Sequence, residues 1–386
     1  MEQFLRQLQT IPEAAELIRR VEEGGCPAAV SGLQPVQRAC VGAAVAAACG
    51  RPAVFLCGDE REVQVLSADL ETLTGRRPVT LLGREWQFRP GAVGSRDWER
   101  SRLAALYALA QGDAPVVVAT ADGLMARTLP PETLRSLAIT LEVGGQAELG
   151  ALAEQLLSAG YARGEQVEGV GQFALRGGIL DVFSPLMDQP VRCEFFDDEI
   201  DSMGAFDPGT QRRTRNVSSA RILPAAEVLP HCAPGGLPGL ADQLTALAEK
   251  LAKKQKTEAI VQTLREDAER LRSGAAPGAA DRYLAAIYPT VTAGVHYLPP
   301  DAVVFLSESG RVDERVKNTV LQQKQDVEAL LSAGVLAGEY AHLTLTAEEL
   351  YAALEDFPVI LEDSLPTSRH PLRPRGLLTM NAKQLS

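Results

Sequence analysis

A chain of 386 residues that is 46% hydrophobic is long enough for two or three domains, each with a real core. Its formal net charge of −12, with no lysine- or arginine-rich block, excludes a chain-wide electrostatic glove for a nucleic-acid backbone. Six cysteines without a CxxC pair, four scattered histidines, no signal pattern in "MEQFLRQLQT" and no apolar run near the ~20 residues a bilayer needs argue against disulfides, structural zinc and a membrane span, and read as a cytoplasmic protein.

The first elements alternate. Pro12 at a first-turn position and the pair Gly24-Gly25 bracket a helix over "PEAAELIRRVEEGG". A short strand "PAAVSG" follows, then a helix from about Pro35 to Cys49, a strand "AVFLCG", and a helix opening at Asp59 as N-cap. "RPVTLLG" and "APVVVAT" read as buried strands on either side of the helix "DWERSRLAALYALAQG". Strands alternating with helices predict a parallel sheet covered on both faces.

From about residue 137 the pattern changes. "LAITLEVG" and the helix "AELGALAEQLLSAGY" precede three close strand-like runs, "QFALRGGILDVF", "VRCEFFDDEIDSM" and "ARILPA", which together predict a small α+β domain. A helical, charged stretch occupies about 235–285, after which the buried strand "DAVVFLSES" and a long helix restore the α/β pattern. One larger domain interrupted by an insertion is therefore expected, with pieces 1–137, 138–224 and 225–370. The Pro- and Arg-rich end, 371–386, reads as a linker toward further domains.

Three runs stand in order at close spacing: "FALRGGILDVFSP", "VRCEFFDDEIDS" and "FDPGTQ". With "SGLQPVQRA" and "HYLPPDAVVFLSES", they make the chain resemble the N-terminal module of the bacterial transcription-repair coupling factor family (Mfd), a module shared with UvrB. The resemblance implies a degenerate RecA-like (P-loop-type) domain with a parallel sheet, interrupted by a small α+β domain that binds UvrA. It also implies RNA polymerase, DNA and a C-terminal domain that masks the UvrA surface as partners of the full-length protein, whose ATP-driven DNA translocase lies outside this chain.

A phosphate loop needs GxxxxGK[ST], with glycines that let N–H groups curl around phosphates and a lysine that reaches the terminal one. Gly-Lys occurs nowhere in the chain. At the corresponding place stands "SGLQPVQRAC", with Gly32 kept, Pro35 in the turn, Arg38 near the lysine position and Ala39 where the hydroxyl belongs. Proline fixes φ and removes an N–H, both wrong for a phosphate cradle. Ser307-Glu308 stands where a motor carries Asp-Glu, so a non-catalytic segment without a nucleotide cofactor is expected. "GDERE" at 58–62 reads as a helix cap. Trp86, Phe88 and Trp98, in a stretch without tyrosine, read as packing aromatics rather than a base-stacking hairpin.

In "VRCEFF" alternation puts Val191, Cys193 and Phe195 on one face, and Arg192, Glu194 and Phe196 on the other. The same count in "QFALR" turns Phe173 and Leu175 inward and Ala174 and Arg176 outward, with Gly177-Gly178 permitting a bulge or a close backbone approach. An aromatic flanked by arginines is the usual make-up of a protein-binding hot spot, each guanidinium forking to a carboxylate. The resemblance assigns Arg176, Arg192 and Phe196 to UvrA contact. Against this, the arginines pair with Asp197, Asp198 or Glu199, and Phe196 packs under a neighbour. The insertion carries seven basic and thirteen acidic residues, a balance that favours protein recognition over DNA. An ATP-dependent, DNA-binding repair enzyme of the UvrB type is the alternative function, and a scaffold with this surface buried is a third.

Overall fold

Short runs of β-branched and small apolar residues form β1 (Ala28–Ser31), β2 (Ala53–Cys57), β3 (Val79–Leu81) and β4 (Val116–Thr120). The structure, a computed structural model, describes residues 2–89, 97–254, 257–366 and 369–380. Helices Pro35–Cys49, Glu60–Thr74 and Asp97–Ala110 alternate with these strands. Their ends follow local chemistry: Pro35 occupies the first turn, Gly50 closes that helix at φ +63°, and the Asp59 side chain accepts the Glu62 N–H at 2.8 Å.

The chain then leaves the sheet through β5 (Ile139–Glu142) into the insertion. There β6 (Ala162–Arg163), β7 (Gln172–Arg176), β8 (Ile179–Val182), β9 (Val191–Phe196), β10 (Glu199–Phe206) and β11 (Arg213–Asn216) form a six-stranded sheet in the order β11-β10-β9-β8-β7-β6. All neighbours are antiparallel except β6 and β7. β12 (Ser219–Ile222) pairs antiparallel with β5, so the entering and leaving segments form one ribbon at the base. Helix Leu149–Ser158 packs Leu152, Ala153 and Leu156 on the inner face, against Phe173, Leu180, Val182, Cys193 and Met203.

After two long helices, Gly236–Leu251 and Glu258–Arg272, the chain adds β13 (Val303–Ser307), β14 (Val359–Asp363) and β15 (Leu377–Thr379) to the first sheet. Its order is β15-β1-β14-β13-β2-β4-β3, with every neighbouring pair parallel. Side chains of β2 split between two cores, Val54 and Leu56 to one and Ala53, Phe55 and Cys57 to the other. This is the RecA-like α/β arrangement expected, interrupted by a small α+β domain. No helix among the described residues is long and apolar enough to cross a membrane.

Three readings of the sequence are corrected here. Residues 377–379 are an edge strand on β1, so the first sheet extends into the stretch expected to be a linker; residues 381–386 lie outside the described residues. The flanking prolines and arginines hid a strand only three residues long. Gly177-Gly178 is the two-residue loop of a hairpin rather than a bulge, because Arg176 pairs with Ile179 and Gly177 sits at φ +59°, while the close backbone approach expected there is present at Gly178, where a Cβ would stand 3.0 Å from the Phe195 carbonyl. Likewise "VRCEFFDDEIDSM" is a hairpin, not one strand, and turns at Asp197-Asp198 with Asp197 at φ +58°.

A buried cluster joins insertion to body. Glu227, fully buried, receives Arg102 at 3.0 Å and the Thr128 hydroxyl at 2.6 Å, while Arg84 pairs with Asp281 at 2.5 Å. These cations hold the Glu227 pKa below its ordinary value despite a burial that pushes the other way.

Gly42, midway along Pro35–Cys49, tests how closely the helix lies on the sheet. A Cβ there would stand 2.5 and 2.6 Å from two ring carbons of Phe55, which is itself buried and stacked on Phe305 at 4.9 Å. Alanine gains about 1 kcal/mol of helix propensity, whereas overpacking a rigid ring costs about 1–3 kcal/mol. Gly42→Ala should therefore lower the urea midpoint; an unchanged or higher midpoint would show that the ring can yield.

Candidate functional site

The outer face of the inserted sheet carries Ala174 and Arg176 from β7, Ile179 and Asp181 from β8, and Arg192, Glu194 and Phe196 from β9, as alternation and cross-strand register require. β8 lies between the two strands that bear the arginines, so Arg176 and Arg192 meet across Asp181. That carboxylate is buried and accepts Arg192 Nε at 2.7 Å, Arg192 Nη2 at 2.8 Å and Arg176 Nη2 at 2.7 Å. The Asp181 bonds hold the Arg192 pKa above its ordinary value.

The three predicted residues are thus on one face but not equivalent. Phe196 is 80% exposed at the end of β9. The Arg176 side chain is 43% exposed and spends one nitrogen on Asp181, whereas Arg192 is 21% exposed and spends two. Arg192 also lies over the Phe206 ring at 4.6 Å and receives support from Gln211, whose side-chain oxygen accepts at 3.3 Å. The arginines pair with Asp181 rather than with Asp197, Asp198 or Glu199, so one fork of Arg192 is already engaged within the sheet. Asp181 and Gln211 were missed by the sequence reading, although both lie in the motif runs quoted for the resemblance.

Gly32, Pro35, Arg38, Ala39, Ser307 and Glu308, the six residues expected at a degenerate nucleotide motif, gather at the end of the parallel sheet. Only Gly32, Leu33 and Gln34 connect β1 to the helix that Pro35 begins. Gly32, at φ +87°, lies against the Met380 carbonyl, where a Cβ would overlap it. Met380 N–H donates to Ser31 at 2.9 Å, so the chain's own last described residues cover this turn. Arg38 is buried; its Nε donates to Ser307 Oγ at 2.8 Å and its Nη1 to Glu308 Oε1 at 2.6 Å. Glu62 accepts from Ser307 at 2.7 Å and stands 3.3 Å from Arg38. Ala39 is buried in the helix and offers no hydroxyl. An internal cation bound by internal acids thus occupies this end of the sheet.

Beside Arg38, Glu362 on β14 is fully buried, and neither carboxylate oxygen has a hydrogen-bond partner among the described residues. Burial holds its pKa well above the ordinary carboxylate value. Among the aromatics, Trp86 stacks with Phe88 at 6.2 Å and lies under Arg84 at 4.3 Å, partly buried against the core. Trp98 is half-buried on its helix, and residues 90–96 between them lie outside the described residues.

Residues 139–227 match the family model of the UvrB interaction domain. Across 96% of its length the chain is 26% identical to the transcription-repair-coupling factor of Bacillus subtilis, of which it covers 31%. It is 35% identical over 63% of its length to that of Myxococcus xanthus, covering 20% of the relative, and 34% identical over 46% of its length to that of Escherichia coli, covering 15%. The chain therefore spans about a third or less of the length of these curated relatives.

The buried Glu362 gives the parallel sheet a pH signature. Its folded pKa is raised, so the folded protein keeps a proton that the unfolded chain releases. Stability from this group is complete below the unfolded pKa and is lost as pH rises toward the folded value. Glu362→Gln should remove that loss and gain about 1–3 kcal/mol over the parent at pH 8, with little difference at pH 4. Parallel stability curves from pH 4 to pH 8 would contradict it.

Proposed function

We propose that this chain, a homologue of the transcription-repair-coupling factors that carries a UvrB interaction domain, is a non-catalytic adaptor that recruits UvrA through the outer face of the inserted sheet. One observation carries the reading: Phe196, 80% exposed, shares its face of the sheet with the part-exposed Arg176, on the domain that matches the family model. Burying a phenylalanine in a partner's pocket supplies about 1.5–3 kcal/mol, and the free nitrogens of Arg176 can fork to a partner carboxylate. In the full-length protein, RNA polymerase and DNA would be engaged by other domains, and the UvrA surface would be masked by the C-terminal domain until transcription stalls. The work is cytoplasmic and concerns nucleotide excision repair.

The adaptor needs no nucleotide in this segment. Arg38 is consumed by Ser307, Glu308 and Glu62, and the turn after β1 is covered by the chain itself. Both features disfavour the ATP-dependent UvrB-type reading. A scaffold reading with Phe196 buried in this chain is disfavoured by that residue's exposure.

Calorimetric titration of the chain with UvrA of the same organism tests the reading, beside the Arg176→Ala/Phe196→Ala double variant. The variant should stay folded and lose about 2–4 kcal/mol of binding. Equal affinity of parent and variant would move the site elsewhere, and no binding by the folded parent would end the recruitment reading.

A further inference from the structure

Beyond the three residues that the motif supplies, a third arginine reaches the same face. Arg213 begins β11, opposite Phe206 on β10, and its side chain crosses β10 over Gly204. A Cβ on Gly204 would overlap the Arg213 guanidinium, so the glycine is what opens the path. The guanidinium bonds to the Met203 carbonyl and approaches Ser202 Oγ at 3.4 Å. It ends 4.0 Å from Glu194 on β9.

The electrostatics of this position differ from those at Arg192. Arg192 faces Asp181 at 2.7 Å with a buried carboxylate, and its charge is compensated. Arg213 has its acid at 4.0 Å, and that acid's side chain is itself 46% exposed, so water screens the pair and the compensation is weak. On this face Arg176, Arg192 and Arg213 stand with Asp181, Glu194 and Glu199, the last directly opposite Phe196. Arg213, with a side chain 37% exposed, is the arginine whose nearest acid is farthest and most hydrated, so its charge is the least compensated of the three. Bracing β11 does not require it, because the backbone pairs Gly204 with Asn216 and Ala205 with Arg215 already hold the strand.

We propose that Arg213, laid across Gly204, is a contact residue of the same surface and pairs with a carboxylate on the partner, extending the site from Phe196 toward the β11 edge. The inference rests on the recruitment reading. A bound acidic group would give the guanidinium a closer carboxylate than Glu194 does at 4.0 Å, and a charge-assisted bond at an interface rim acts on association rate as well as affinity.

The test is a titration of the whole chain with UvrA at two salt concentrations, comparing the parent with Arg213→Gln and Arg213→Glu, each checked by its thermal midpoint. Arg213→Gln keeps hydrogen-bonding capacity and loses the charge; it should bind about five- to tenfold more weakly, with a shallower salt dependence. Arg213→Glu should be weaker still. A brace would make the two variants alike and their binding would follow their thermal midpoints, which would overturn the proposal. Parental affinity in both variants overturns it while leaving recruitment standing, whereas a folded parent that fails to bind overturns recruitment and this inference together.

Discussion

A carboxylate buried in the middle strand of a small sheet has to be satisfied, and Asp181 is satisfied by two arginines from the strands on either side. Removing a charge from water costs several kcal/mol, and the cost is offset only when geometry is good and each oxygen is bonded. Asp181 meets that condition with three N–H donors to two oxygens. The requirement works in reverse as well: it fixes where the arginines lie. Arg192 is pinned by two bonds and the Phe206 ring, while Arg176, held by one, keeps nitrogens free. Phe196 then projects from a surface whose charges are already arranged, so little side-chain ordering remains for association to bear.

The larger domain applies the same logic to another end. Where related folds bind phosphate at a helix start, Arg38 brings a cation inside and Ser307, Glu308 and Glu62 close around it. The pairing ties β13 to two helices, and with the Gly32 turn covered by the Met380 segment it makes that end part of the core. Glu227, at the return from the insertion, is likewise a buried acid held by Arg102 and Thr128. Buried ion pairs thus sit on the outer face of the inserted sheet, at the end of the parallel sheet beside Gly32 and at the return from the insertion.

Much of this was legible in the sequence, and for local reasons. The helix Pro35–Cys49, the cap at Asp59, the alternating strands and the two faces of "VRCEFF" follow from periodicity and end signals within a few residues. What escaped depended on pairing. Asp181 was passed over for Asp197, Asp198 and Glu199, which are nearer to Arg192 in sequence but sit at the hairpin end. Only the order β7-β8-β9 brings Asp181 between the arginines. Arg213 needs the register that places Gly204 beneath it, and β15 is three apolar or polar residues among prolines and arginines with no pattern to read. Glu362 lies in an apolar run whose burial only the assembled sheet reveals.

Asp181 is the positioning residue of the face proposed to bind UvrA, so the most direct measurement is the UvrA affinity of Asp181→Asn beside the parent. The substitution keeps the volume and removes the charge that aligns both guanidinium groups. Near-native unfolding with affinity lowered about tenfold, the scale of one charge-assisted pair, is the result predicted. Affinity equal to or tighter than the parent's, in a folded variant, would contradict it, because the arginines would then bind without the carboxylate that arranges them.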